Sequence, residues 1–292
     1  MREITKLTGF DGVAPGQKAS LKLPLDRRYY SIWVRAVVGT GAGGSTPSTA
    51  RADVEAAITD IELSSAGQTL RMSSAKELNY INRVNGICNA NGSDNAANPH
   101  GWAGALALNF ANPWQASVQG EDLNSLGTLG MSDLTLDVTL AAGAQNPKLE
   151  AWAAFTYANR APGSIVRMLR KSLNIAQGGE YDLTSLRVGP SYARMHFFSP
   201  LVNGAEVFAL GRRPFHITKE NRALLLKPYD LGIEDDIFTV PFDFTQQLSD
   251  AFPTVTAGGK ALEDWNIRLD IGGSAGSSAV FPFITEIREP LL

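Results

Sequence analysis

The sequence predicts an all-β chain in which one antiparallel barrel plan occurs twice. Three observations carry that reading: apolar residues alternate with polar ones in short stretches, turn residues interrupt the chain every ~8–12 residues, and the order of features in the first half returns in the second. With about 140 residues in each half, eight strands and one short helix fit comfortably. The expected fold is a double jelly roll, two tandem eight-stranded antiparallel β-barrels or sandwiches, each with a short capped helix.

The elements follow in order. Residues 17–25 form a Gly-led strand, and residues 30–37, beginning at Tyr30, form a second. Residues 39–52 are a Gly/Ser/Thr run without apolar spacing and are expected to project as an irregular loop. Ile61 to Leu63 and the apolar pair Leu70 and Met72 mark two further strands. Ser74-Ala75-Lys76-Glu77 is a capping box, in which the serine oxygen accepts the amide of Glu77 and Glu77 reaches back, so a helix carrying Leu78, Ile81 and Val84 starts near residue 75. A second loop, residues 89–104, holds His100 and Trp102. Leu134, Leu136, Val138 and Leu140 then alternate with Thr135, Asp137 and Thr139, the period of a half-buried strand.

Residues 164–175 place Ile165, Met168, Leu169 and Leu173 at i, i+3, i+4 and i+8, which predicts a basic amphipathic helix with Arg167, Arg170 and Lys171 on its polar side. The plan then repeats through residues 180–186, a Tyr-led strand at 192–198, Glu206 to Phe208, and the pair Phe215 and Ile217. A helix capped by Thr218, carrying Ala223, Leu224 and Leu225, ends before Pro228, and Trp265, Ile267, Leu269 and Ile271 form the alternating strand. Matched positions are offset by 162 (Tyr30 to Tyr192), 145 (Met72 to Ile217) and 131 (Leu134 to Trp265), a steady fall that reflects longer loops in the first half. The expected division is residues 1–158 as the loop-rich first barrel, 159–178 as a linker containing the basic helix, and 179–292 as the compact second barrel.

The 292 residues carry 26 basic and 29 acidic side chains, a formal charge of −3, and 44 % hydrophobic residues, which excludes a disordered or collagenous chain. Near-neutrality gives no reason to expect specific nucleic acid binding. Cys88 is the single cysteine, so no intrachain disulfide or cysteine-based zinc site can form, and an inert thiol is expected. The opening Met1-Arg2-Glu3-Ile4-Thr5-Lys6-Leu7 lacks the apolar run of a secretory signal, and no segment approaches the ~18 apolar residues of a membrane helix, so folding in a cytoplasm is expected. In that compartment Asn91-Gly92-Ser93 reads as a turn rather than a glycosylation site.

Catalytic constellations are missing. Neither His100, His196 nor His216 stands within metal-ligand spacing of another, and none begins the His-x-Asp/Glu pair of a facial iron triad. The glycines from Gly39 to Gly44 lack the following Gly-Lys-Ser/Thr or apolar helix of a phosphate cradle. Glu121 and Asp122, with Trp102 and Trp114, sketch a glycan site without fixing a geometry. Asp230, Glu234, Asp235 and Asp236 lack the spacing of a calcium loop and read as a solvated turn. Arg160, Arg167, Arg170 and Lys171 have no acid among residues 151–179; they read as a solvated or interface face, or as a surface for anionic lipid headgroups.

The duplicated β plan, with no catalytic set, resembles the major capsid protein of corticoviruses, icosahedral phages with an internal membrane. The resemblance is carried by Val13-Ala14-Pro15-Gly16 leading into Ser20-Leu21-Lys22-Leu23-Pro24-Leu25, by Leu126-Gly127-Thr128-Leu129-Gly130 and by Pro147-Lys148-Leu149-Glu150-Ala151. Ala161-Pro162 through Met168, Arg170 and Leu173 to Gly178-Gly179, and Asp236-Ile237-Phe238-Thr239-Val240-Pro241-Phe242, complete it. It implies a non-enzymatic coat protein that forms homotrimers and pseudo-hexagonal capsomers, tiles a shell over a lipid membrane, and meets neighbouring capsomers and a vertex protein. No cofactor is required, though calcium is implied in capsid stability; the location implied is the virion, assembled in the bacterial host cytoplasm. The alternative is a tandem jelly-roll carbohydrate-binding or glycan-processing protein.

Overall fold

The computed structural model describes residues 2–85, 105–111, 122, 124–175, 178–183, 186–227, 232–233, 235–243, 250–273 and 279–290. Cys88, Asn91 to Ser93, His100, Trp102, Trp114, Glu121, Asp230 and Glu234 lie outside the described residues, as does the whole of the expected loop 89–104. The chain divides into two compact units, Met1–Val166 with Pro290–Leu292, and Arg167–Glu289.

The first unit contains β1 (Glu3–Lys6), β2 (Lys18–Lys22), β3 (Arg28–Thr40), β4 (Thr46–Ser48), α1 (Arg51–Ala57), β5 (Ile58–Ser65), β6 (Gln68–Ser73), α2 (Ala75–Val84), β7 (Ala105–Asn109), β8 (Thr135–Leu140) and β9 (Gln145–Thr156). One antiparallel sheet runs β1-β9-β3, with β7 and β4 on the far edge of β3; another runs β6-β5-β8-β2. Leu136, Val138 and Leu140 of β8 are buried, as their alternation predicts, and so are Ile61 and Leu63 of β5 and Ile32 and Val34 of β3. The capping box forms as expected: Glu77 N donates to Ser74 Oγ at 3.2 Å and Ser74 N donates to Glu77 Oε2 at 2.7 Å.

The second unit contains most of β10 (Ser164–Ile175), then β11 (Gly179–Leu183), β12 (Ser191–Phe197), β13 (Val202–Ala209), β14 (Arg212–Thr218), α3 (Arg222–Leu226), β15 (Phe238–Pro241), β16 (Phe252–Pro253), β17 (Asn266–Ile271) and β18 (Ala279–Pro290). Its sheets run β15-β12-β18-β10, with β16 also on β12, and β14-β13-β17-β11. Among the described residues, strand order therefore matches between the units: β7-β3-β9-β1 against β15-β12-β18-β10, and β6-β5-β8-β2 against β14-β13-β17-β11. This is the expected double jelly roll.

The duplication reaches individual irregularities. A β-bulge inserts one extra residue and breaks the ladder locally, so a shared bulge fixes which residues correspond. The β5–β8 ladder shifts between Ile58 and Asp60, and β13–β17 shifts between Val202 and Gly204, an offset of 144 on β5. Their partners Leu140 and Ile271 give 131. Ser20 opposite Asp137 then corresponds to Asp182 opposite Arg268, an offset of 162. The β3–β9 ladder shifts between Tyr29 and Ser31, and β12–β18 between Tyr192 and Arg194. The counterpart of Tyr192 is thus Tyr29 rather than its neighbour Tyr30.

That tyrosine pair shares its hydrogen bond as well. Tyr29 Oη donates to the Pro24 carbonyl at 2.8 Å, and Tyr192 Oη donates to the Arg187 carbonyl at 2.9 Å, each acceptor five residues upstream. Both rings are buried. A buried hydroxyl without a partner would be costly, so the bond ties the incoming loop to the start of the strand. In the second unit the tied ring also packs on Trp265 and Phe242, at centroid distances of 5.3 and 6.5 Å.

Three expectations need correction. Residues 164–175 form a strand, not an amphipathic helix. The helical spacing is real, but β10 pairs beside β18, and the β-branched Ile165, Val166 and Ile175 suit an extended chain. Thr285 Oγ1 donates to Leu169 O at 3.4 Å across that pair, and Arg167 pairs with Glu289. Partner strands override local periodicity here. Residues 39–52 are not irregular: β4 pairs back on β3, with Val38 opposite Ser48 and Thr40 opposite Thr46, and α1 begins at Arg51. Gly39 makes the tight return feasible, since a Cβ there would stand 2.5 Å from Gly44 O. The helix placed after Thr218 begins only at Arg222. Asn221 N donates to Thr218 Oγ1 at 3.2 Å and Thr218 N donates to Asn221 Oδ1 at 2.8 Å, so this reciprocal pair closes a turn ahead of the helix.

The second unit also buries an ion pair outside its apolar core. Arg194 and Asp243 are 2 % and 4 % exposed, with Nε to Oδ1 at 2.7 Å and Nη2 to Oδ2 at 3.3 Å. The position corresponding to Arg194 in the first unit is Ser31, whose Oγ donates to Asn109 Oδ1 at 2.8 Å. The residue after the bulge is therefore neutral in one unit and charged in the other, and its partner shifts with it: Asn109 stands opposite Ser31 in the ladder, whereas Asp243 lies two residues beyond Pro241, the residue opposite Arg194.

Tyr29→Phe or Tyr192→Phe leaves a carbonyl without its donor and lowers unfolding free energy by about 1–3 kcal/mol, read from urea midpoints. Burial pushes both phenols up, Tyr192 to about 12, above the unfolded value near ~10. The folded state holds the proton more tightly, so stability is complete below pH ~10 and is lost as pH rises toward 12; the loss is smaller in Tyr192→Phe. Arg194→Met strands the Asp243 carboxylate and costs about 3–5 kcal/mol, whereas adding Asp243→Leu restores most of it. Amide hydrogen exchange along β12 checks that recovery.

Candidate functional site

The described histidines are strand residues, as expected. His196 of β12 is fully buried, with Nδ1 3.0 Å from Thr239 Oγ1 and Nε2 3.4 Å from Glu286 Oε1. His216 of β14 is half-exposed, its Nε2 3.6 Å from Glu206 Oε1. Among the described residues no three His, Cys, Asp or Glu side chains converge as a metal site. Asp235 accepts a hydrogen bond from Arg222 at 3.0 Å while remaining 98 % exposed, the geometry of a solvated turn. Among the described residues, Asp235 and Asp236 are not joined by a third acid in a cluster that could hold a metal ion.

Asp122 is likewise occupied, with Arg28 at 3.3 Å and Arg2 at 3.4 Å. This is a structural anchor rather than one half of a glycosidase pair. Gly41 and Gly44 close a turn, Gly44 N donating to Gly41 O at 3.2 Å, so that amide faces its own loop rather than a phosphate.

The four basic residues singled out in the sequence do not act as one face. Arg160 is half-buried and donates from Nη2 to Asp122 O at 2.8 Å and to Ser125 O at 3.1 Å, holding the chain on the far side of Gly127. A Cβ at Gly127 would fall 2.3 Å from Arg160 O, which explains the glycine. Arg167 pairs with Glu289, as does Arg187 at 2.8 Å. Arg170 is half-buried and Lys171 exposed on the strand that replaces the expected helix.

The outer faces of two corresponding sheets carry rows of charge that were not singled out in the sequence. On the first unit Lys18 Nζ lies 2.7 Å from Asp137 Oδ2 and 3.5 Å from Glu62 Oε2, and Ser20 Oγ donates to Asp137 Oδ1 at 2.6 Å. On the second, Arg268 Nε donates to Asp182 Oδ1 at 2.8 Å, its Nη1 lies 3.3 Å from Glu180 Oε2, and Arg213 meets Glu206 at 2.6 Å. The signal was present as the polar phase of alternating strands, but strand phase alone does not say which charges share a row.

With no convergent catalytic set and ordered charge on sheet faces, the described geometry offers surfaces rather than a reaction centre. Comparison with known proteins agrees. The model for the viral coat protein P2 N-terminal domain matches residues 4–156, and that for the viral coat protein P2 C-terminal domain matches residues 165–284. The major capsid protein P2 of bacteriophage PM2 aligns over 100 % of this chain and 98 % of its own, with TM-score 0.80 and 18 % identity. A chain of Sulfolobus Turreted Icosahedral Virus aligns over 98 % of this chain and 90 % of its own, with TM-score 0.65 and 11 % identity. One from the PBCV-1 virus capsid aligns over 100 % and 96 %, with TM-score 0.59 and 11 % identity. No curated protein matches the chain. Nothing among these matches supports the glycan-binding or glycan-processing alternative. Both halves match the two domains of one coat protein in their natural order, and the chain belongs to the viral coat protein P2 family, with a structural rather than enzymatic role.

Proposed function

We propose that this coat protein forms homotrimers, that each trimer is a pseudo-hexagonal capsomer, and that capsomers tile an icosahedral shell over an internal membrane. The observation that carries this reading is the repetition of strand order and bulge position in both units. Two nearly equivalent barrels per chain turn threefold symmetry into six similar sides, which suits a hexagonal lattice. Such a lattice closes only where fivefold positions interrupt it, so a distinct vertex protein is a natural partner alongside neighbouring capsomers. Assembly would take place in the bacterial host cytoplasm.

Membrane contact in this reading narrows to the β10 segment. Arg160 and Arg167 are engaged within the fold, so Lys171 is the exposed cation of the four left to face anionic headgroups. A basic residue near an anionic surface contributes about 1 kcal/mol, and the effect is screened by salt.

Light-scattering chromatography of the purified chain is expected to give three times the chain mass, and electron microscopy hexagonal outlines. A monomer at high micromolar concentration overturns the proposal. Lys171→Glu is expected to reduce sedimentation with phosphatidylglycerol vesicles severalfold at low salt while trimer mass is unchanged; equal sedimentation removes the membrane role.

A further inference from the structure

We infer that the outer face of β1-β9-β3 on the first unit, centred on Trp33 and Trp152, is the surface on which a second copy of this chain seats within the trimer. The inference rests on the trimer reading and names a surface that such a trimer needs.

Residues opposite each other in an antiparallel ladder share one face of the sheet. Ile4 stands opposite Ala154 and Ala154 opposite Ser31, while Lys6 stands opposite Trp152 and Trp152 opposite Trp33. These positions alternate with the buried Ile32, Ala153 and Phe155, so they look away from the core. The face is apolar at its centre: Trp33 packs with Tyr30, Ala111 and Ala154 in a small cluster of its own. Cations border it, with the Arg2 guanidinium 4.0 Å from the Tyr30 ring and Lys6 Nζ 5.4 Å from the Trp152 ring. Both tryptophans remain partly exposed, and Ile4 on the edge strand is 66 % exposed.

The second unit indicates what covers this face. The shared bulge places His196 where the first unit has Trp33, Ile284 where it has Trp152, and Glu286 where it has Ala154. His196 and Ile284 are 0 % exposed and Glu286 8 %, so the corresponding face is closed within a single chain. One plan therefore has this face finished in one unit and open in the other. In a capsomer of six nearly equivalent barrels, corresponding faces take corresponding surroundings. The second unit has its cover already, and the first takes it from the next copy. Such a contact joins two different surfaces, and head-to-tail contacts of this kind close into a ring. Composition agrees, because the centre of an interface between copies is depleted in charge and enriched in aromatic residues, and tryptophan is prominent among the side chains that dominate binding.

The test uses full-length Ile4→Lys and Trp152→Ala, with light-scattering chromatography over a range of protein concentration. Each variant is expected to raise the concentration at which the trimer dissociates by about tenfold or more. Leu224→Lys, which alters a 77 % exposed leucine outside this face, is expected to stay within about twofold of wild type. At a concentration where wild type is trimeric and Ile4→Lys is not, hydroxyl-radical labelling of Trp33 and Trp152 is expected to be severalfold greater in the variant. Circular dichroism monitors folding; if Trp152→Ala unfolds, Ile4→Lys, at an exposed edge position, carries the comparison. Trimers of undiminished stability in the folded variants, equal labelling, or an equal loss in Leu224→Lys overturns the assignment and leaves the trimer reading intact. So does an intact trimer that has lost only its further assembly. A wild-type chain that stays monomeric overturns both.

Discussion

Each unit depends on a buried tyrosine hydroxyl bonded to a carbonyl five residues upstream, directly before a bulge. Strand side chains alternate with a period of two, so a one-residue slip would exchange the core and solvent faces of a whole strand. The tie and the bulge together set the register of β3 and β12, the strands flanked on both edges in their sheets. Downstream of the bulge, Ile32, Val34 and Ala36 are buried in the first unit, and Met195 and Phe197 belong to the second core. The constraint is local, but the phase of every paired strand follows from it.

With the framework set in this way, the two units are free to differ where the framework does not reach. Their cores are not interchangeable: the second contains a cluster of Tyr192, Phe242, Phe252 and Trp265, with Phe252 and Trp265 stacked at 5.0 Å. At the residue after the bulge the first unit buries Ser31 against Asn109 and the second buries Arg194 against Asp243. A buried ion pair contributes little net stability, because desolvation offsets attraction, yet its loss on one side is severe. Its clearest effect is to make one arrangement of β12 and the chain after β15 far better than any other.

The parts of this fold legible in the sequence were those in which local pattern and tertiary environment agree. The alternation in β8 and β17 and the Ser74 and Glu77 box on α2 are such cases, and the structure bears them out. Residues 164–175 show the opposite case: Ile165, Met168, Leu169 and Leu173 fit a helical stripe, but neighbouring backbone supplies ladder partners that no periodicity reveals. The tyrosine match slipped by one residue because Tyr29 and Tyr30 are adjacent, and only the bulge distinguishes them. The charge rows stayed hidden for a related reason. Lys18, Asp137 and Glu62 are far apart in sequence, and it is register that makes them neighbours.

In the proposed capsomer, duplication by itself would make all six sides alike, and identical sides can associate in several arrangements of similar energy. Covalent linkage keeps two barrels at high effective concentration but does not say which neighbour each should take. Discrimination must come from positions where the copies differ while the framework stays the same. Lys18 where the second unit has Glu180, and Asp137 where it has Arg268, are such positions: the side chain changes sign while strand order and bulge stay the same. Individually, contacts between exposed charges are weak, about 0–1 kcal/mol, and weakness is an advantage in a closed shell. Contacts that break and reform allow misplaced subunits to leave before the lattice closes around them, while repetition over the shell makes the completed assembly stable.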